Sequence, residues 1–388
     1  MKSQHLSGRA DIGLSTIVDV FDRSELFEEL NNQQVLRLSQ LGGNDGFAST
    51  KNILRSTGIA TRRLLAPGVS PADLAAAVCT RLEEQSGRRL RDFTSVLLCH
   101  SHTDPLACEH LAAELTKRFA LPANLISPAN HGCAGFLRML RDAGLLLENS
   151  SPDSAVALVS VEVPETWHDA ADRLFCGIVS AGATAAVAEH CGELRTCLPV
   201  SQVRTDDFHL PPERRANSLP LFHRDTTDVF SFRGQKCRRT VMRMNPEPVF
   251  LHGIELMLDN LRSALLSIER LPGQRIVAVP HQPSGKLLKA LIAAAAREFP
   301  EVEFLNNLER YGNTISSSVP TILSRFDEVL ATNGCLPLND GDHVILLAAG
   351  ICMAQPSDHM TAGHACLRWM PTRARIATRE RPSGVAAK

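Results

Sequence analysis

Apolar positions along the chain fall into two rhythms, one at helical spacing and one of short unbroken runs. Residues 71–86 (PADLAAAVCTRLEEQS) open with Pro at a helix entry and set Leu74, Val78 and Leu82 on one face, which predicts a helix. The run TSVLLC at 94–99 predicts a buried strand, followed by a helix near 108–119. A turn-rich stretch, NLISPANHGCAGFLRML, then leads to a second buried strand, SAVALVSVE, at 154–162. The same order returns later. A helix at 250–270 presents Leu251, Ile254, Leu258, Leu261, Leu265 and Ile268 along one face, and the strand RIVAVPHQ follows at 275–282. A helix at 286–298, the turn-rich LERYGNTISSSVPTIL and a strand HVILLAAG at 343–350 complete the second set.

The two sets keep register. Strands TSVLLCHS and QRIVAVPH start at 94 and 274, an offset of 180 residues, and Cys133 and Asn313, each in the turn after the second helix of its set, share that offset. A repeated α/β unit predicts an internal duplication whose halves pack face to face, with a site where turns from both converge. The expected division is a first half at 1–199, a polar, Pro-containing excursion at 200–236, a second half at 237–370 and a disordered basic tail at 371–388.

Composition narrows the function. With 41 Lys+Arg against 42 Asp+Glu the formal net charge is −1, so no basic excess points to nucleic acid. No stretch approaches the length of a bilayer span, and the first twenty residues lack a signal peptide's apolar core, which predicts a cytoplasmic protein. The 11 cysteines form no C-x-x-C pair, so no zinc site is expected, and their odd number predicts reduced thiols rather than a disulfide framework. Most read as small buried hydrophobes.

One of them differs. Cys133 sits in HGCAGFLRMLRDAG, between glycines and immediately before helical periodicity, which places its thiol at a helix N-terminus where N–H groups and the dipole favour a thiolate. A nucleophile there can also offer its own N–H to an oxyanion. His281 follows the apolar run IVAVP, at the strand end where α/β sites gather. Asn313 follows Gly312 in a polar turn that opens a helix, and Gly350 ends HVILLAAG, where a backbone can approach closely.

Together these segments resemble the thiolase superfamily, and within it the β-ketoacyl-acyl-carrier-protein synthase III branch. The likeness runs from about Arg55 to Trp369 through STGIATRR, HGCAGF, FRGQ, VPHQPSGKLL, ERYGNTISSSVP and GDHVILLAAG, in that order. It implies a duplicated five-layer αβαβα fold, a homodimer, no metal and no cofactor beyond an acyl-CoA or phosphopantetheinyl carrier-protein substrate. It also implies that Cys133, His281 and Asn313 are catalytic, with the N–H groups of Cys133 and Gly350 forming the oxyanion hole. The implied reaction is transfer of an acyl group to Cys133, then decarboxylative Claisen condensation with a malonyl-type thioester, in polyketide or fatty-acid-like biosynthesis.

The sequence departs from the branch at three places. Asn52 and Ser56 stand where the aromatic residue and arginine of an adenine clamp are usual, and Ala181 where an aspartate is usual. A basic rim of Lys286, Arg233, Lys236, Arg238, Arg239 and Arg243 is expected instead to receive the pantetheine arm and an acidic acyl carrier protein. Three rivals share parts of this pattern. An acyltransferase to a hydroxyl or amine would use the same cysteine with less need for Asn313. A Cys-His-Asn peptidase has the same residue order, but this chain lacks the tryptophan that usually follows such a nucleophile. A non-catalytic subunit ordinarily loses a catalytic residue, and all three are present.

Overall fold

The structure is a computed structural model that describes residues 4–5, 12–43, 46–191, 197–210, 220–353 and 359–370; the expected tail at 371–388 lies outside them. Its strands realise the duplication. Ile12–Asp19 runs antiparallel to Gly182–His190, which is antiparallel to Ala155–Glu162; that strand is parallel to Ser95–Cys99, itself parallel to Ile126–Ala129. In the second half, Leu198–Phe208 is antiparallel to His359–Arg368, which is antiparallel to His343–Cys352; that strand is parallel to Ile276–Pro280, itself parallel to Val302–Phe304. The pairing sense therefore repeats strand for strand. A short pairing of Gly13 with Pro199 and Leu14 with Leu198 joins the two sheets.

The period-two alternation of the strands sorts their side chains into layers. Val156 and Leu158 face a central layer made by the helices Gly135–Glu148 and Ser318–Ser324, which touch both sheets through Phe136, Leu140, Val319 and Ile322. Ala157, Val159 and Val161 face outward onto helices Pro71–Ser86 and Ala107–Arg118. The other outer layer packs helix Pro246–Ser267 and helix Gly285–Glu298 against Ile276, Ala278, Ile345 and Leu347. The result is a thiolase-type five-layer αβαβα fold.

Three expectations are corrected. The described residues within 200–236 are mostly strand rather than an excursion: Leu198–Phe208 belongs to the second sheet, and Phe222–Phe230 forms a hairpin with Lys236–Met244. Their polar outer positions mask an inward set that includes Val200, Val203 and Thr205. Cys191 and Cys197 are joined by a disulfide. The strands they border flank Ile12–Asp19, and the pair closes over Gly13, where any Cβ would collide with Cys191 Sγ. The helix predicted at 250–270 spans Pro246–Ser267 and keeps Ile254, Leu258, Leu261 and Leu265 against the core, but its buried stripe is wider than that face. Leu251 is exposed, whereas His252, Gly253, Met257, Asn260, Leu261 and Ala264 are buried, and Asn260 Oδ1 pairs with His364 Nδ1 at 2.8 Å.

Candidate active site

Both halves contribute to one cavity of about 550 Å³, lined by Cys133, His281, Asn313 and Gly350 among mainly apolar neighbours. Cys133 lies in the 3-10 turn Gly132–Ala134 that feeds helix Gly135–Glu148. Gly132 holds φ at +56° and faces the carbonyl oxygen of Ile351 so closely that no side chain fits. Across from it, a Cβ on Gly350 would lie 2.5 Å from both Cβ and Sγ of Cys133. The strand His343–Cys352 thus brings a bare peptide against the thiol.

The thiol itself is not poised as the helix-terminus argument expects. Burial, then the Glu162 carboxylate, pushes Cys133 up to about 12, and only its own backbone N–H acts the other way. Glu162 ends the apolar strand Ala155–Glu162 and is fully buried. It accepts from Ser101 N at 3.1 Å, from Ser101 Oγ at 2.9 Å and from Ser316 Oγ. Burial raises Glu162 to about 7 against these hydrogen bonds. It ties the turn after Asn313, from the second half, to the first.

His281 follows strand Ile276–Pro280 and is 1% exposed. Burial drives it down to about 3, so it is a neutral imidazole at physiological pH. Nδ1 sits 2.6 Å from Ser318 Oγ, and Nε2 has no hydrogen-bond partner. The Ser318 hydroxyl can donate to Nδ1, which places the imidazole proton on Nε2. Asn313 is held by its backbone, which bridges Val179: its N–H donates to Ile178 O and its carbonyl accepts from Ser180 N, both at 2.9 Å. Its side-chain Oδ1 accepts from Ile315 N at 2.9 Å, and Nδ2 donates to Pro283 O at 3.3 Å, leaving a second Nδ2 hydrogen. The next turn carries strain: Ile315, β-branched and on the cavity wall, has φ +52°.

The mouth is set by a glycine-to-glycine contact. Gly58 caps helix Thr50–Thr57 in the left-handed region, and a Cβ there would come within 3.1 Å of Gly285 Cα at the start of the next half's helix. Asn52, Ser56 and the exposed Lys286 line the same cavity, but the rest of the expected basic rim does not join them. Arg233 and Arg239 line a separate cavity of about 310 Å³. Arg233 there bonds Leu65 O at 2.7 Å, and Arg239 bonds Glu165 O at 2.6 Å. Lys236 lies over the Phe230 ring, Arg238 is 3.8 Å from Asp228, and Arg243 pairs with Asp169 and Asp172. Strand alternation in the hairpin sends these neighbouring residues to opposite faces. Among the described residues no cluster of His, Cys, Asp and Glu could hold a metal, and no helix is long and apolar enough to cross a membrane.

Sequence reasoning missed Glu162, Ser316 and Ser318. Glu162 had a signal, a carboxylate closing an otherwise apolar strand. The serines had the run ISSS, whose members face different partners.

A cysteine thiol, a neutral imidazole and a side-chain amide, drawn from both halves of a thiolase-type fold, line one cavity. Solved structures share the fold. The 3-oxoacyl-(acyl carrier protein) synthase III of Pseudomonas aeruginosa superposes with a TM-score of 0.67 at 21% identity, covering 92% of this chain and 98% of that one. The priming β-ketosynthase of a polyketide pathway gives 0.66 at 20% identity, covering 92% and 94%. The sequence model for "3-Oxoacyl-[acyl-carrier-protein (ACP)] synthase III C terminal" matches residues 274–355. The β-ketoacyl-[acyl-carrier-protein] synthase III of Gloeobacter violaceus is 30% identical over 303 residues, 77% of this chain and 85% of that protein. The chain belongs to the β-ketoacyl-acyl-carrier-protein synthase III family.

Proposed function

We propose that this protein condenses a Cys133-bound acyl group with a malonyl-type thioester, losing carbon dioxide and extending the chain by a β-keto unit, in fatty-acid-like or polyketide biosynthesis. The observation that carries this reading is the convergence of Cys133, His281 and Asn313 from two halves on one cavity, with Gly350 against the thiol.

In the first step Cys133 sulfur attacks the carbonyl carbon of an incoming pantetheine thioester. Its thiol proton ends on the departing pantetheine sulfur, and the backbone N–H groups of Cys133 and Gly350 receive the tetrahedral oxyanion. In the second, His281 Nε2–H and Asn313 Nδ2–H donate to the thioester carbonyl of the extender. The electron pair released with carbon dioxide collects there as an enolate, whose carbon then attacks the acyl-Cys carbon and expels the Cys133 thiolate. A neutral His281 suits this role, because it donates without adding a charge that would stabilise the malonyl carboxylate. Ser318 acts as a positioning residue, through the imidazole. The Ser318→Ala variant is expected to lose about tenfold in kcat for carbon dioxide release with KM for the extender nearly unchanged.

The same reading makes the protein a cytoplasmic homodimer fed by an acyl carrier protein or acyl-CoA. The strand Ile126–Ala129 supports a contact between copies, since among the described residues it pairs only with Ser95–Cys99 and leaves Ser127 and Pro128 exposed at the sheet edge. Incubation with acyl donor and carboxyl-labelled malonyl carrier protein tests the reaction. Labelled carbon dioxide and a β-ketoacyl product are expected from the wild type, with no product from Cys133→Ala. Transfer of the acyl group to a hydroxyl or amine without carbon dioxide release would replace condensation with acyl transfer.

A further inference from the structure

A positive charge lies buried behind the site and is held by neutral groups. Arg62, in the strand Thr61–Leu65, is 0% exposed, and every hydrogen bond of its guanidinium goes to an uncharged oxygen. Nε donates to Gly177 O at 3.0 Å, and Nη2 donates to the same oxygen. Nη2 also donates to Thr57 Oγ1 at 3.1 Å, and Nη1 to Asn32 Oδ1. Burial lowers Arg62 only to about 10, so it remains a cation at physiological pH. A buried cation held this way costs stability that an apolar side chain of similar size would not. Packing alone therefore gives no reason for a guanidinium here; the peptide it grips does.

That peptide leads directly to Asn313. Residues 177–181 belong to no helix or strand, so cross-bonds rather than a regular ladder fix their backbone. Arg62 clamps the carbonyl of Gly177, and the next carbonyl, Ile178 O, accepts from Asn313 N at 2.9 Å. The neighbouring Arg63 continues the seam through its backbone, its N–H donating to Ser180 Oγ at 2.8 Å and its carbonyl accepting from Ala181 N at 2.7 Å. The stem of Arg62 also backs the turn before Asn313. A Cβ on Gly312, where φ is +68°, would lie 3.5 Å from Arg62 Cγ and 3.3 Å from Ile178 O. Two N–H groups from one planar guanidinium fix the direction of a carbonyl as a single donor does not. Cys133 and His281 are set by other elements, the turn Gly132–Ala134 and the end of strand Ile276–Pro280. A fault at Arg62 therefore falls on Asn313 before it reaches either of them.

Resting on the condensing reading above, we propose that Arg62 is a positioning residue for the decarboxylation step, holding the Gly177–Ile178 peptide and through it the side-chain amide of Asn313. Acylation of Cys133 is then independent of it.

Two rates separate this role from a merely structural one. Acylation of Cys133 is followed by intact-protein mass spectrometry, and labelled carbon dioxide is collected from the preformed acyl-enzyme with carboxyl-labelled malonyl carrier protein. Arg62→Lys keeps the charge but not the fork. It is expected to acylate within about twofold of the wild type and to release carbon dioxide about 10- to 30-fold more slowly, with KM for the extender within about twofold. Asn32→Ala removes only the Nη1 partner, at a residue outside the cavity wall, and is expected to show the same split at about threefold. It keeps the test decisive if Arg62→Lys folds poorly. Added to Asn313→Ala, Arg62→Lys should slow carbon dioxide release no further, because the two act as one unit. An unchanged carbon dioxide rate, equal loss in both rates, a rise in extender KM alone or a full further loss in the double variant overturns the proposal. No carbon dioxide from the wild type would instead overturn the condensing reading, and this role with it.

Discussion

A Gly350→Ala variant is expected to acylate Cys133 about 10²- to 10³-fold more slowly than the wild type, read as the time course of the acyl adduct by intact-protein mass spectrometry. The added methyl would lie 2.5 Å from Cβ and Sγ of Cys133, roughly an ångström inside contact distance. Neither side can yield cheaply. The strand His343–Cys352 is buried at all ten positions and pairs along its full length with His359–Arg368. The opposing turn is pinned by Gly132 against Ile351 and by Gly135 against Cys99. The thiol must therefore leave its place, and with it the geometry between sulfur and the two N–H groups. Overpacking of this kind also costs about 1–3 kcal/mol of stability. That second effect gives an independent readout: Cys133→Gly in the same chain removes the colliding atoms and is expected to restore much of the lost melting temperature. No recovery in the double variant would show that the clash lies elsewhere.

The fold was legible where the sequence signals were local. Helix 71–86 announced itself through Pro71 and a Leu74–Val78–Leu82 stripe, and it spans those residues in the structure, where Ser70 caps it. The buried strands 95–99, 155–162, 276–280 and 343–352 were visible because strands covered on both faces are continuous apolar runs. The hairpin at 222–244 was not, because a two-stranded ribbon with one polar face reads like a loop. The stripe Ile254, Leu258, Leu261 and Leu265 of helix Pro246–Ser267 was legible, but not the buried Gly253 and Asn260 beside it, which are weak in any hydrophobic pattern. The positions of Cys133, His281, Asn313 and Gly350 were legible from flanking glycines and strand ends. The electrostatic state of Cys133 was not: it depends on Glu162, 29 positions away in sequence, and on how much water the fold excludes. The basic rim failed for a related reason. Clustering in sequence says nothing of which strand face each arginine occupies.

The protein is expected to unfold in mild alkali, and its thiols are the cause. Burial pushes Cys79, Cys108, Cys133 and Cys176 up to about 12 and Cys366 up to about 11, from 9.0, and Cys99 well above it. These six stay protonated in the folded chain while the unfolded chain ionises near pH 9, so above that pH the native state binds more protons. Their contribution is complete below pH 9 and is lost as pH rises through the folded values. One pH unit above 9, each costs on the order of 1 kcal/mol, and the set several kcal/mol. That is comparable with the whole stability of an ordinary domain, and half of it would suffice to shift the unfolding transition visibly. Melting temperature measured from pH 7 to pH 10.5 should hold nearly level to about 8.5 and then fall steeply. A chain carrying Cys79→Ala and Cys176→Ala loses some packing at every pH but removes two of the six ionisations. Its decline above pH 9 should be about a third shallower, since the slope scales with the difference in bound protons. An unchanged slope in that variant would move the cause from the thiols to other groups.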